Sequence, residues 1–498
     1  MKAIEAKDGY KTNHNVQYVP GITRVYTNQC ARSVKYMPRI AGTDDKIVVL
    51  GMTYFIKWYL QDLMQNTFFS IPKEVAIKNY QRLMDAYLGK GSIKTTHIEA
   101  LHDLGYVPIT IRALDEGTVI NAGIPFMTIE NTLPEFFWVT NFLETIASSM
   151  TWMMVNNATL ARKYKTIMLN YAEMTGGDKN FVPFQGHDFS FRGMSSPQSA
   201  EMSGFAHLTS FVGTDTVPAL SFAEQYYGAN LDTELVGCSV PASEHSIACS
   251  YGKDNEFEYF KHLITNVYPN GIVSLVSDSY DFWAVLTDFM PRLKDIILAR
   301  KGGPVGDKVV IRPDSGDPVK IVVGDPDAPV GSPEHKGSIQ VLWEVFGGTV
   351  NEKGFKVLDS HIGLIYGDAI NLQRCKDILE GLAKKGFAST NLVFGLGSFG
   401  YQLNSRDNLS QAFKATSITV NGEERAIFKD PKTDNGTKKS AKGNLVVLKN
   451  AEGEYVLVDG VSQEVAKTGE LKEVFRDGKL LRESSLSEIR ARITASIK

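Results

Sequence analysis

The chain has 498 residues, 43% hydrophobic and 22% charged, and its 53 Lys and Arg against 56 Asp and Glu leave a formal charge of −3. That length exceeds one simple core and implies two or three domains. The near-neutral balance excludes a global pull toward nucleic acid or anionic membrane, so any anion site must be local.

Cys30, Cys238, Cys249 and Cys375 show neither CxxC pairing nor metal-finger spacing, and the N-terminal residues carry no apolar signal region. Both point to a reduced, cytoplasmic chain. The most apolar early segment, Ile47–Leu60, is broken by Lys57 and too short to span a bilayer.

Residues 1–178 read as an N-terminal α+β domain. Thr23–Thr27 is a short strand, and Met52–Met64 and Val75–Tyr87 carry apolar residues at helical spacing. From Val107 the period drops to two. Val107–Ala113, Thr118–Asn121 and Gly123–Ile129, with the turn Asp115-Glu-Gly117, predict a small antiparallel sheet. Two helices follow. The first begins at Pro134 with Phe137, Phe142, Leu143 and Ile146 as its stripe; the second carries Leu160, Tyr164, Ile167, Met168, Tyr171 and Met174 and stops at Gly176-Gly177. Such stripes are core rather than a cofactor surface.

Residues 179–400 repeat a strand, a polar loop and a helix. Strands are expected at Phe181–Phe184, Leu208–Val212, Glu234–Ser239, Ile272–Val276, Lys308–Ile311, Ile362–Tyr366 and Leu392–Phe394. Helical patterns at Ala200–Ala206, Phe257–Val267, Phe282–Phe289, Ile339–Phe346 and Ile370–Lys384 separate them. Repeated βα units with polar strand ends predict the α/β class, as an irregular α/β barrel whose site forms where strand ends converge. A doubly wound sheet is the alternative. Residues 401–498 carry a basic loop (428–443), a hairpin of Leu445–Lys449 and Glu454–Val458, and a capping box at Ser485–Glu488 opening a last helix. This segment is expected to fold back beside the N-terminal domain.

Chemistry concentrates in the loops. Ser239-Val-Pro-Ala-Ser-Glu-His-Ser246 sets Glu244 and His245 at a Pro-bent tip. His187-Asp-Phe-Ser-Phe-Arg-Gly193, Ser277-Asp-Ser-Tyr-Asp281 and Ile311-Arg-Pro-Asp-Ser-Gly316 also follow short apolar runs. A lone His is usually structural; flanked by Glu244, His245 becomes a candidate nucleophile or phosphate acceptor, while His187 and His207 read as structural. Asp278, Asp281, Asp314 and Asp317 could N-cap helices, or else recognise ribose hydroxyls or hold Mg2+ against phosphate. Gly367-Asp368 and Gly395-Leu-Gly-Ser-Phe-Gly400 follow strands, where backbone N–H groups can approach phosphate, although such turns also merely connect elements. Arg192, Arg312, Arg406, Lys414, Lys429 and the lysines of 438–442 are the cations at hand to clamp it. Phe189 and Tyr10 are candidate ring-stacking residues or core.

Taken together with Asp8-Gly-Tyr-Lys11, Gly213-Thr-Asp-Thr216 and Phe428-Lys-Asp-Pro431, these motifs resemble the nicotinamide phosphoribosyltransferases, of the type II phosphoribosyltransferase family, nearly end to end. The resemblance implies transfer of a phosphoribosyl group from phosphoribosyl pyrophosphate to nicotinamide, with Mg2+ as cofactor and ATP as co-substrate, in a homodimer with shared active sites. It implies that Phe189 and Tyr10 of the partner subunit sandwich the pyridine, that Asp215 accepts from the carboxamide, and that Arg312 lies beside the ring. His245 would be phosphorylated by ATP, with Glu244 and Asp278 adjacent. Arg192, Asp278, Asp314, Gly367 and Asp368 would surround ribose and diphosphate, and Gly397 and Ser398 would cradle phosphate. Arg32, Arg406, Lys414, Lys429 and Lys438 would supply positive charge, some of it across the dimer interface. No residue is assigned as a direct metal ligand; Mg2+ would be held through phosphates and Asp278 or Asp314.

Three features depart from the family pattern. Ser190 and Phe191 stand where animal members have Gly and Tyr, Ser398-Phe399 interrupts a glycine run, and the lysine cluster lies one residue further from Phe428. Because the pyridine nitrogen has a free lone pair, such a reaction needs no general base, only ring positioning, cations on the leaving diphosphate and negative groups near the sugar cation. A carboxylate at Asp215 suits an amide and repels an acid. Nicotinate phosphoribosyl transfer is the alternative within this class, and a catalytically silent nucleotide-binding protein the alternative outside it.

Overall fold

A single helix, Val139–Thr175, runs for 37 residues along the interior of this computed structural model, which describes residues 1–428 and 441–497. Two helices were expected here; one is found, because no Gly or Pro interrupts the chain between Ile146 and Leu160. The apparent polar gap at Asn156-Asn157 is buried and satisfied: Asn156 Nδ2 donates to Ser405 O and Asn157 Nδ2 to Ser203 Oγ, each at 2.8 Å. Gly176, at φ 64°, ends the helix with its N–H donating to Ala172 O.

One sheet is antiparallel and seven-stranded, in the order Glu423–Ala426, Gln411–Val420, Ile22–Ala31, Pro125–Asn131, Ile109–Ala113, Lys472–Arg476 and Lys479–Leu480. It is larger than the sheet expected from period two alone, since segments far apart in sequence meet in it. Val119–Ile120 leaves this sheet and pairs instead with Ile47–Val48.

The other main sheet is parallel and six-stranded: Gly213–Thr214, Gly186–Asp188, Leu392–Leu396, Ile362–Tyr366, Lys308–Arg312 and Ile272–Val276, in that order. Its two edges are joined by residues 238–243. Cys238 N donates to Val212 O and Thr214 N to Cys238 O, at 2.7 and 2.9 Å; Ser274 N donates to Pro241 O and Ser243 N to Ser274 O, at 2.8 and 3.0 Å. The sheet is therefore an irregular closed α/β barrel, not a doubly wound sheet.

Three expected strands move. Phe181–Phe184 is helical, as the turn Lys179–Phe181 and the helix Val182–Gln185 with Pro183 in its first turn; the strand follows at Gly186–Asp188. The helix Pro197–Leu208 displaces the next strand to Gly213–Thr214. Glu234–Ser239 is no regular strand: it makes one isolated bridge, at Cys238, the next falls beyond it at Ala242, and Pro241 between them has no N–H to extend a ladder.

The C-terminal helix Leu486–Ala495 opens on the capping box, Glu488 N donating to Ser485 Oγ and Ser485 N to Glu488 Oε2. It buries Leu486, Ile489 and Ile493 and pushes the Arg490 guanidinium against barrel carbonyls, donating to Leu208 O, Leu235 O and Val236 O at 2.6–2.7 Å. Burial lowers the Arg490 pKa to about 10. No helix among the described residues is long and apolar enough to cross a membrane. Replacing Arg490 with Met strands three carbonyls and should cost about 2–4 kcal/mol of stability in urea unfolding. An unchanged midpoint would remove this contact from the account.

Candidate active site

In a parallel barrel every strand points its C-terminal end to the same mouth. Here that mouth is a cleft of ≈ 850 Å³, lined by Phe189 and Arg192, by Asp215, by Arg312 and Asp314, by Gly367 and Asp368, and by Gly397 and Ser398. Each group follows a different strand.

Two glycines back the Phe189 ring. A Cβ on Gly395 would lie 2.3 Å from Phe189 Cδ2, and one on Gly367 2.7 Å from it, so only bare main chain fits behind the ring. Gly397 differs: a Cβ there meets no atom within 4 Å, and its φ of −87° suits any residue. Space beside Gly397 belongs to the cleft rather than to a neighbouring side chain.

Asp215 is held rigidly. His187 Nε2 and Ser239 Oγ both donate to its Oδ1 at 2.8 Å, while Oδ2 accepts no hydrogen bond from the described residues. An ionised carboxylate only accepts, so His187 Nε2 carries the proton. Burial opposes the charge, but the hydrogen bonds from His187 and Ser239 and the His187 and Arg312 charges outweigh it and hold Asp215 below its ordinary value. His187 thus belongs to the cleft's machinery, contrary to the structural role its sequence context suggests. Alternation along Gly186–Asp188 was the available signal, since His187 and Phe189 share a face. His207 is structural: Nε2 donates to Gly213 O, Nδ1 accepts from Tyr401 OH, and burial pushes its pKa to about 4.

Behind the cleft, Asp278 cross-braces two loops. Its Oδ1 accepts from His245 Nε2 at 2.9 Å, and its Oδ2 from Asp314 N at 2.9 Å and Ser315 Oγ at 2.5 Å. Burial works against its charge, yet these donors keep its pKa low. His245 is exposed at the start of the helix His245–Ser250, and Glu244, which precedes it without a side-chain cap to the main chain, accepts from Ser246 Oγ. Arg312 Nη2 donates to Ser243 O at 2.6 Å, fixing the loop before His245.

N-capping accounts for Asp281 and Asp317, which accept from Ala284 N and from Val319 N and Lys320 N. It does not account for Asp314 or Asp368, whose carboxylates line the cleft and accept no hydrogen bond from the described residues. Burial raises the Asp314 pKa, with Asp278 and Asp368 adding to the effect and Arg312 opposing it. No cluster of three or more metal-ligating side chains occurs among the described residues. Mg2+ needs none, because it keeps its waters and takes one or two carboxylates plus phosphate oxygens, and Asp314 fits that role.

Tyr10, Arg32, Arg406 and Lys414 do not line the cleft of their own chain. Tyr10 is 67% exposed on the turn Gly9–Asn13. Arg32 Nε donates to Ser410 O, Arg406 opens the turn Arg406–Leu409, and Lys414 lies on the strand paired with Ile22–Ala31. Lys429 and Lys438 lie outside the described residues.

The sequence model of the nicotinate phosphoribosyltransferase family matches residues 184–479. The chain belongs to that family. Among relatives, it is 48% identical to a nicotinamide phosphoribosyltransferase of Acinetobacter baylyi, covering 100% of this chain and 98% of the relative. It is 34% identical to the one of Xanthomonas campestris, over 98% and 97% of the two chains. The crystal structure of nicotinate-nucleotide pyrophosphorylase from Pyrococcus furiosus shares the fold, with a TM-score of 0.58 at 15% identity over 99% of this chain and 95% of that one.

The two kinds of glycine should separate by experiment in this family member. Gly395→Ala drives a methyl into the Phe189 ring and should cost about 1–3 kcal/mol in thermal or urea unfolding. Gly397→Ala should leave stability within about 0.5 kcal/mol. Equal costs would mean that the ring is not seated on Gly395.

Proposed function

We infer that the protein is a nicotinamide phosphoribosyltransferase, joining nicotinamide to C1 of phosphoribosyl pyrophosphate and releasing diphosphate in NAD salvage. One observation carries the choice of pyridine: Asp215 keeps Oδ1 engaged by His187 and Ser239 and leaves Oδ2 for a ligand. An ionised carboxylate so held accepts from a carboxamide NH2 and repels the carboxylate of nicotinate. The names of the full-length relatives support the same reading.

In this reading the ring lies on Phe189, anchored by Asp215, with Arg312 beside it. Its nitrogen lone pair attacks C1 as the bond to diphosphate breaks, and no proton has to move. Asp314 and Asp368 face the developing sugar cation, while Arg192 and the open main chain at Gly397 and Ser398 receive phosphate oxygens. Asp314, with Asp278 behind it, would hold Mg2+ through water and phosphate, where its chemistry is to neutralise the leaving diphosphate.

We assign ATP to His245. Its Nε2 proton is engaged by Asp278, which leaves the Nδ1 lone pair to take a γ-phosphoryl group as ADP departs. A homodimer completes the pocket: Tyr10 and Val16 expose apolar surface on adjoining turns, and Tyr10 of the partner subunit covers the free side of the ring. Arg32, Arg406, Lys414, Lys429 and Lys438 add positive charge around the phosphates. The four free cysteines suit the reducing cytoplasm, where we place the enzyme. Arg312, a cation beside the ring site, is the feature that favours nicotinate as the alternative.

Incubation with phosphoribosyl pyrophosphate and each pyridine, followed by chromatography of the nucleotides, tests the assignment. Nicotinamide mononucleotide should dominate, and Asp215→Asn should lower kcat/KM for nicotinamide by about 10–100-fold. A wild-type preference for nicotinate would overturn the role of Asp215. His245→Ala should abolish ATP hydrolysis and the ATP-dependent fall in KM for phosphoribosyl pyrophosphate; unchanged coupling would contradict the role of His245.

A further inference from the structure

The two glycine loops of the cleft follow neighbouring parallel strands, Ile362–Tyr366 and Leu392–Leu396. Besides Phe189, which packs on Gly367 and Gly395, the Arg374 side chain touches both loops. Arg374, in the first turn of the helix Leu372–Lys384, donates from Nη1 to Ala369 O at 2.6 Å, and its guanidinium carbon lies 5.3 Å from the centroid of the Phe399 ring. Ala369 and Phe399 both line the cleft, beside Gly367-Asp368 and Gly397-Ser398 respectively.

Ala369 has a φ of 52°. That left-handed region is costly for alanine, which lacks the polar side chain that lets Asn or Asp pay locally for it. Something must hold the peptide there, and the charge-assisted bond from Arg374 is in place to do so. The same guanidinium faces the ring of Phe399, the residue that interrupts the glycine run. It joins no ion pair among the described residues, so its contacts are spent on the loops.

We propose that Arg374 is a positioning residue that clasps the two loops, fixing Ala369 in its left-handed conformation and setting the width of the phosphate cradle between Asp368 and Gly397. The substrate named here rests on the phosphoribosyl-transfer reading; the clasp itself rests on geometry. A lysine could not replace it, since a point charge cannot offer a planar fork to a carbonyl and a flat face to a ring together.

The test measures KM for phosphoribosyl pyrophosphate and for nicotinamide in wild type, Arg374→Met, Arg374→Lys, Ala369→Gly and the Arg374→Met/Ala369→Gly double variant, with a thermal melt of each. Arg374→Met and Arg374→Lys should each raise KM for phosphoribosyl pyrophosphate about tenfold, leaving KM for nicotinamide unchanged. Glycine adopts positive φ without strain, so Ala369→Gly should change little alone and restore most of the loss in the double variant. An unchanged KM for phosphoribosyl pyrophosphate in Arg374→Met overturns the clasp. So does a parallel rise of both KM values with a lower melting temperature, which marks a purely structural role. A loss that Ala369→Gly does not rescue overturns it too, in favour of direct contact with the anion. Absence of wild-type turnover refutes the phosphoribosyl-transfer reading instead, before any variant is compared.

Discussion

Four backbone hydrogen bonds seat residues 238–243 between Gly213–Thr214 and Ile272–Val276, and they turn a sheet with two edges into a ring. Laid open, the six strands would put those edges about 24 Å apart at about 4.8 Å per spacing. Asp215, which follows one edge strand, could then meet Ser239, or Arg312 the Ser243 carbonyl, but not both at once. Closure brings both contacts within hydrogen-bond range together and, in the proposed reading, sets ring recognition beside phosphate recognition. The bent segment carrying Pro241 serves because it is irregular: it bonds sideways to both neighbours and then turns its tip, with Glu244 and His245, outward.

The acidic residues of the mouth divide into two groups by what surrounds them. Asp215 and Asp278 each accept from neutral or cationic donors strong enough to overcome burial, so they stay ionised and fixed. Asp314 and Asp368 have no such donors among the described residues, and burial, with Asp278 and Asp368 nearby, raises the pKa of Asp314. The first pair orients other groups. Neither member of the second pair forms an ion pair with the described residues, and a developing sugar cation with phosphate-bound Mg2+ is the kind of partner that suits them in the proposed reaction. In the proposed reading a chain of net charge −3 handles a polyanion locally, through Arg192, Arg312 and open main chain, without a basic surface.

Sequence made the middle of the barrel legible and left its rim hidden. Ile272–Val276, Lys308–Arg312, Ile362–Tyr366 and Leu392–Leu396 are apolar runs of strand length, and the site loops after them carried their own motifs. Gly186–Asp188 and Gly213–Thr214 are short and polar, and the apolar residues before them pack as helix; periodicity therefore pointed two or more residues too early. The same polarity hid His187, whose partner Asp215 lies 28 residues away and meets it only through the fold. Ring closure left no trace in pattern, since it rests on isolated bridges. Arg374 falls inside the expected helix Ile370–Lys384, and neither the strain at Ala369 nor the nearness of Phe399 can be read along the chain.

A crystal structure of the enzyme with nicotinamide mononucleotide tests the central claim most directly, that one strand-end mouth grips the pyridine and the phosphoribosyl group together. The account predicts the ring on Phe189, the amide nitrogen within about 3.5 Å of Asp215 Oδ2, and the phosphate beside Gly397 and Ser398. A nucleotide bound with its ring away from Phe189 and Asp215, or with its phosphate outside the cleft, would contradict it.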